Sequence, residues 1–125
     1  MAKLLLVDDS VDTTRVLGRL LQLHGHAVDI ANSGEEALGF LDASVPDLVI
    51  LDLMMPGIDG SEVLRRMREN PRTQAVPVVI FSAAGDTVVR EHLIAKGAQE
   101  FWMKGAFDFS RLAPEVDRLI TAGGA

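Results

Sequence analysis

Five polar residues each stand directly behind a short apolar run, and their chemistry is coherent only if they meet. Asp8 and Asp9 follow Leu4-Leu5-Leu6-Val7, Asp52 follows Leu48-Val49-Ile50-Leu51, Ser82 follows Val78-Val79-Ile80-Phe81, and Lys104 follows Phe101-Trp102-Met103. Three carboxylates gathered in a half-buried pocket repel one another, so the arrangement requires cations. A hard divalent ion held by oxygen, Mg²⁺ in particular, together with the Lys104 ammonium would bring the formal charge close to zero. Mg²⁺ favours one or two carboxylates plus phosphate oxygens, which points to a phosphoryl group as cargo. Transfer of that group to a carboxylate needs a nucleophile in line, a metal, a cation and a hydroxyl around the equatorial oxygens.

The elements that must position these residues follow from periodicity. The apolar runs at residues 2–7, 48–51, 76–81 and 99–103 have the length and flanks of buried strands, and Ala27 to Ala31 alternates as a weaker, more polar edge strand. Between them lie helical patterns. Val16, Leu17, Leu20 and Leu21 form the first, closed by Gly25; Ser33 and Glu36 open the second as a capping box, with Ala37, Leu38 and Leu41 inward. Asp59, three residues before Glu62, reads as the cap of a third helix with Val63, Leu64 and Met67 inward, stopped by Asn70-Pro71. Asp86 reads as the cap of a fourth helix that Lys96-Gly97 closes, and Leu112, Val116, Leu119 and Ile120 mark a fifth, started late or bent early by Pro114. Apolar strands alternating with helices predict an α/β fold, a parallel sheet covered on both faces. In such a sheet ligands bind at the carboxyl ends of the strands, where all five polar residues fall.

Composition narrows the function classes. A chain of 125 residues suits a single domain over 1–125, and its 48% apolar content contains no run near the length of a membrane span. A cytoplasmic location is the expectation. The absence of cysteine excludes thiolate metal sites, and a formal charge of -6 argues against nonspecific binding to nucleic acid or to anionic membrane. Proteins are the expected partners.

With these motifs in place, essentially the whole chain resembles a receiver domain of the two-component response regulators. The resemblance is carried by Leu6-Val7-Asp8-Asp9-Ser10, by Asp47 through Gly60, by Ile80-Phe81-Ser82-Ala83, and by Gly97-Ala98 with Phe101 and Lys104. It implies a doubly wound, five-stranded parallel sheet of flavodoxin-like order 2-1-3-4-5 with helices on both faces. It further implies Asp52 as phosphoacceptor, and Asp8, Asp9, Asp52 and the Met54 backbone carbonyl as contacts to Mg²⁺. Ser82 is implied as the switch hydroxyl, Lys104 as the phosphate-binding cation and Phe101 as the switch aromatic. The implied donor is a sensor histidine kinase or histidine phosphotransfer domain. Signalling would pass through the fourth helix, fifth strand and fifth helix to a downstream protein or output domain, from a monomer or a phosphorylation-dependent dimer. Such a module catalyses only its own phosphorylation and dephosphorylation.

Other readings compete residue by residue. Asp8-Asp9 could cap the following helix, Ser82 could be a turn hydroxyl, Lys104 a surface charge and Phe101 a core ring. A Mg²⁺-dependent phosphatase using Asp52 on a small metabolite is the rival function, but it needs a second acid or base and a cap for substrate, neither visible here. Trp102 is expected in the core, and His24, His26 and His92 lack metal spacing. Met54 and Ala84, two past Asp52 and Ser82, flank the implied phosphoryl site and cannot position a water. Gly105 stands where the family usually has a proline joined to the lysine by a cis bond. A cis bond before glycine costs roughly 2.5 to 4 kcal/mol, so a trans bond and a looser loop, anchored by Phe107, are expected.

Overall fold

The computed structural model describes residues 2–83 and 87–124, without the side chains of 123 and 124. The strands are β1 (Lys3–Val7), β2 (Ala27–Ala31), β3 (Leu48–Leu51), β4 (Val78–Ser82) and β5 (Glu100–Met103). They alternate with α1 (Val11–Leu23), α2 (Gly34–Ala43), α3 (Gly60–Glu69), α4 (Thr87–Ala95) and α5 (Leu112–Gly124). All pairings are parallel and the order is β2-β1-β3-β4-β5, as the resemblance implied.

Each continuous apolar run supplies both faces of the sheet because neighbouring side chains point opposite ways. Leu5, Val7, Val49, Leu51, Val78 and Ile80 enter one core with Val63, Leu64 and Met67 of α3 and Leu93 of α4. Leu4, Leu6, Leu48, Ile50, Val79 and Phe81 enter the other with Leu17 and Leu21 of α1 and Leu112, Val116 and Leu119 of α5. Truncating a fully buried member such as Leu64 to alanine would cost about 2–5 kcal/mol. β2, on the sheet's edge, carries the most exposed strand residues, which explains its polar sequence.

Several elements differ in detail from expectation. The inward stripe of α1 is Thr14, Leu17, Gly18 and Leu21, whereas Val16 and Leu20 are exposed. Gly18 faces the sheet within ordinary contact distance of the Ile30, Leu6 and Val28 side chains, and residues two positions to either side of it, Val16 and Leu20, fall on the outer face of the helix. β4 begins at Val78 because Pro77 has no N–H to give the ladder, although its carbonyl accepts from the Val49 amide at 3.0 Å. β5 begins at Glu100, with the Gln99 side-chain oxygen accepting from the Val78 amide at 2.6 Å. A 3₁₀ turn, Phe109–Arg111, leads into α5, so Pro114 falls in the first helical turn, where its missing N–H costs nothing. The caps at Ser33 and Asp59 are present: each side chain accepts from the amide three residues on, Glu36 and Glu62 respectively. Asp86 and Ala84 lie outside the described residues.

Candidate functional site

The strand ends bring the predicted acids together by backbone bonding before any side chain acts. The Asp8 amide donates to the Ala31 carbonyl, the Asp52 amide to Val7 and the Lys104 amide to Ser82, at 2.8 to 3.0 Å. Each acceptor is the last residue of the neighbouring strand. One site residue after another is thus registered at the carboxyl rim as a continuation of the sheet's own ladder.

The loop after Asp52 is shaped by two glycines. Gly57 has φ of +74°, a conformation that side chains rarely tolerate. A Cβ at Gly60 would collide with the Asp52 carbonyl, so only glycine lets α3 start this close to the acid. The Gly60 amide donates to the Leu53 carbonyl at 3.0 Å, and Glu35 of α2 accepts from the Ile58 amide at 2.9 Å. Asp59 caps α3 and takes no part in the site.

Carboxylate oxygens of Asp8, Asp9 and Asp52 lie within 4.8 Å of one another, the single such acidic or imidazole group among the described residues that could hold a metal. Asp8 and Asp52 are buried, at 4% and 5% exposure, while Asp9 faces solvent. Lys104 Nζ pairs with Asp8 Oδ2 at 2.7 Å and stands 3.7 Å from Asp52 Oδ2. Burial pushes the Asp52 carboxyl above its ordinary range, the charge of Asp8 pushes it further, and Lys104, the Ser82 hydroxyl and the Leu53 amide oppose the shift. Ser82 is 1% exposed and reaches Asp52 through that hydroxyl.

Three carboxylates and one ammonium leave two negative charges, the balance a divalent ion supplies, and the all-oxygen donor set suits Mg²⁺ rather than a softer metal. Met54 lies two residues past Asp52 with its side chain largely exposed. Phe101 is not part of this cluster. It is half-buried on β5, packed against the α3/α4 core, with the Arg90 guanidinium 5.6 Å from its ring centre. Trp102 points to the other face and is buried there, as expected.

Two neighbours escaped the sequence reading. Asn32 donates from Nδ2 to the Asp8 carbonyl at 2.9 Å, and Ser10, whose amide donates to Asp8 Oδ1 at 2.9 Å, caps α1. Asn32 follows the carboxyl end of β2, so the rule that collected the other strand-end residues reaches it too. His24 and His26 both lie 3.4 Å from Asp117, and His26 is nearly enclosed. That cluster sits at the opposite rim. Among the described residues no peptide bond is cis, so the Lys104-Gly105 bond is trans.

The strand order and the acids at the central strand ends define a doubly wound α/β domain with an acidic site at its carboxyl rim, and comparison with known proteins identifies the family. Residues 4–117 match the response regulator receiver domain. The chain belongs to that family. It is 42% identical over 100 residues to the CpxR homolog of Haemophilus influenzae, covering 80% of this chain and 42% of that protein. It is 33% identical over 117 residues to the gliding motility regulatory protein of Myxococcus xanthus, covering 94% of this chain and 15% of that one. A solved structure of a putative response regulator from Chloroflexus aurantiacus superposes with a TM-score of 0.88 at 32% identity, covering 96% of this chain and 98% of that one. The chain spans less than half the length of these curated relatives.

Proposed function

We propose that this receiver domain accepts a phosphoryl group on Asp52 and signals through it. The observation that carries the reading is the meeting of Asp8, Asp9 and Asp52 with Lys104 and Ser82 at one rim of the sheet. Asp8, Asp9, Asp52 and the Met54 backbone carbonyl would hold Mg²⁺, which when bound neutralises charge on the phosphoryl oxygens. An Asp52 oxygen attacks phosphorus in line, the bond from phosphorus to the donor's imidazole nitrogen breaks, and the imidazole leaves with that electron pair. Lys104 and the Ser82 hydroxyl then bind the new oxygens.

The donor is a sensor histidine kinase or histidine phosphotransfer domain. The module catalyses only its own phosphorylation and dephosphorylation. Moving Ser82 toward phosphate frees space that Phe101 can fill, and Arg90, over that ring, belongs to α4. The α4, β5 and α5 surface would thereby change its affinity for a downstream protein or output domain. A cytoplasmic setting fits that traffic, and among the described residues no helix is long and apolar enough to cross a membrane. The test is labelling from acetyl phosphate with Mg²⁺, with chelator, and in Asp52→Asn. Undiminished labelling of the variant would sink the assignment.

A further inference from the structure

Lys104 has to hold its ammonium over two buried acids, yet the residue after it supplies nothing to hold it. A Cβ built on Gly105 meets no atom within 4 Å. The turn is nevertheless closed: the amides of Ala106 and Phe107 both donate to the Met103 carbonyl, at 3.1 and 2.9 Å. Phe107, three residues after Lys104, lies flat on Trp102, two residues before it, with ring centres 4.5 Å apart and planes 22° apart. Phe81, the residue before Ser82, meets both edge-on, at 5.7 Å from Phe107 and 6.5 Å from Trp102. These rings form a closed triangle beneath the turn, and Lys104 Nζ lies 5.9 Å from the Phe81 ring centre.

We infer that Phe107 is a positioning residue for phosphoryl transfer, clamping the turn so that Lys104 is preset toward Asp8 and Asp52. The inference rests on the phosphoacceptor reading of Asp52 given above. Its physical basis is that stacked and edge-on ring pairs add stabilisation and, more to the point, fix orientation. The ring contacts of Phe107 are to Trp102, Phe81 and Phe109 rather than to the acids, so it acts through the backbone of the turn. The anchoring role expected of Phe107 thereby takes a specific form: its ring, three residues past the lysine, would hold the turn that Gly105 leaves unsupported.

Trp102 is the only tryptophan in the chain, so its fluorescence reports the clamp directly. Phe107→Ala should slow phosphorylation by acetyl phosphate roughly 3- to 10-fold, the range a lost aromatic pair supports. Mg²⁺ affinity, set by the acids, should stay within about twofold, and Phe107→Tyr should restore the rate by restoring the ring. In the unphosphorylated protein, Phe107→Ala should shift Trp102 emission and speed exchange of the Ala106 and Phe107 amides. An unchanged phosphorylation rate, or a parallel fall in rate and Mg²⁺ affinity, overturns the proposal, the second because it marks general damage. Unchanged amide exchange also overturns it, and that readout needs no phosphoryl group. Failure of the phosphoacceptor reading shows separately, as labelling that persists in Asp52→Asn.

Discussion

The two rims of the sheet use the same residue types to opposite ends. At the amino rim Asp47 and Asp117 each have a partner from another segment. Asp47 accepts from the Lys3 amide at 2.8 Å, the His26 Nδ1 accepts from the Ala2 amide at 3.2 Å, and Asp117 of α5 stands 3.4 Å from both His24 and His26. At the carboxyl rim three acids crowd one another around a single ammonium. Pairing at the first rim ties α1, β2 and α5 together; crowding at the second leaves repulsion that Lys104 offsets in part and that a bound cation or protonation would relieve further. The contrast separates charge that serves the fold from charge kept for chemistry.

The largest effect that could break this comparison is at Asp52. Asp52→Asn should abolish labelling and, without Mg²⁺, raise the thermal midpoint by a few degrees, because it removes a carboxylate disfavoured first by burial and then by the charge of Asp8. The sign follows from the raised carboxyl. Its ionised form is disfavoured in the fold, so the penalty is full above the elevated range and vanishes as acid protonates the group. The stabilising advantage of Asp52→Asn should therefore shrink as pH falls through that elevated range, measured by melting curves with chelator present. A variant less stable than the wild type at neutral pH would mean the rim is not strained.

Next in size is Lys104→Met. Phosphorylation should slow on the order of 100-fold, since a fixed cation at developing charge is lost. Asp8 would then be buried with the Ser10 amide as its remaining donor among the bonds found, a loss of about 1–3 kcal/mol without Mg²⁺. Saturating Mg²⁺ should recover part of that loss, and melting curves with and without the ion measure it. Asp9→Ala is gentler, because Asp9 is exposed. It should weaken Mg²⁺ binding by about 10- to 100-fold while leaving the metal-free protein nearly as stable, as calorimetric titration and melting together would show.

The carboxyl rim was legible in the sequence because a fully buried parallel strand writes itself as an uninterrupted apolar run. Whatever polar residue ends the run must then lie at the rim, which is how Asp8, Asp52, Ser82 and Lys104 were found. Strand order was not legible from spacing and came from family resemblance. The rotation of α1 was missed because four apolar residues outline a stripe too wide to say which two face the sheet; Leu17 and Leu21 do, beside Thr14 and Gly18. Asn32 was overlooked because it acts through its amide on the Asp8 carbonyl, a backbone partner that residue type does not reveal. The bridge from α1 and β2 to Asp117 spans 93 residues for His24, a contact only the fold creates.

The smallest predicted effect lies at that bridge, and it sharpens the comparison by what it leaves alone. Asp117 is half-exposed, its contacts to both imidazoles are long at 3.4 Å, and His24 is itself half in solvent. Exposed contacts of this kind, ionic only when the imidazole is protonated, contribute about 0–1 kcal/mol, and salt screens their charged form. Asp117→Asn should thus lower stability by no more than that, with the loss nearly gone in high salt. The enclosed His26 ring keeps its bond to the Ala2 amide, so the start of β2 should hold its place. Phosphorylation rate and Mg²⁺ affinity should be unchanged, because the ladder that registers Asp8 and Asp52 runs through the strands rather than through α5. Denaturant melts at low and high salt, run beside acetyl phosphate labelling, measure all three quantities. A loss well above 1 kcal/mol, or any slowing of phosphorylation, would show that the two rims are coupled and that charge at the amino rim also serves the chemistry.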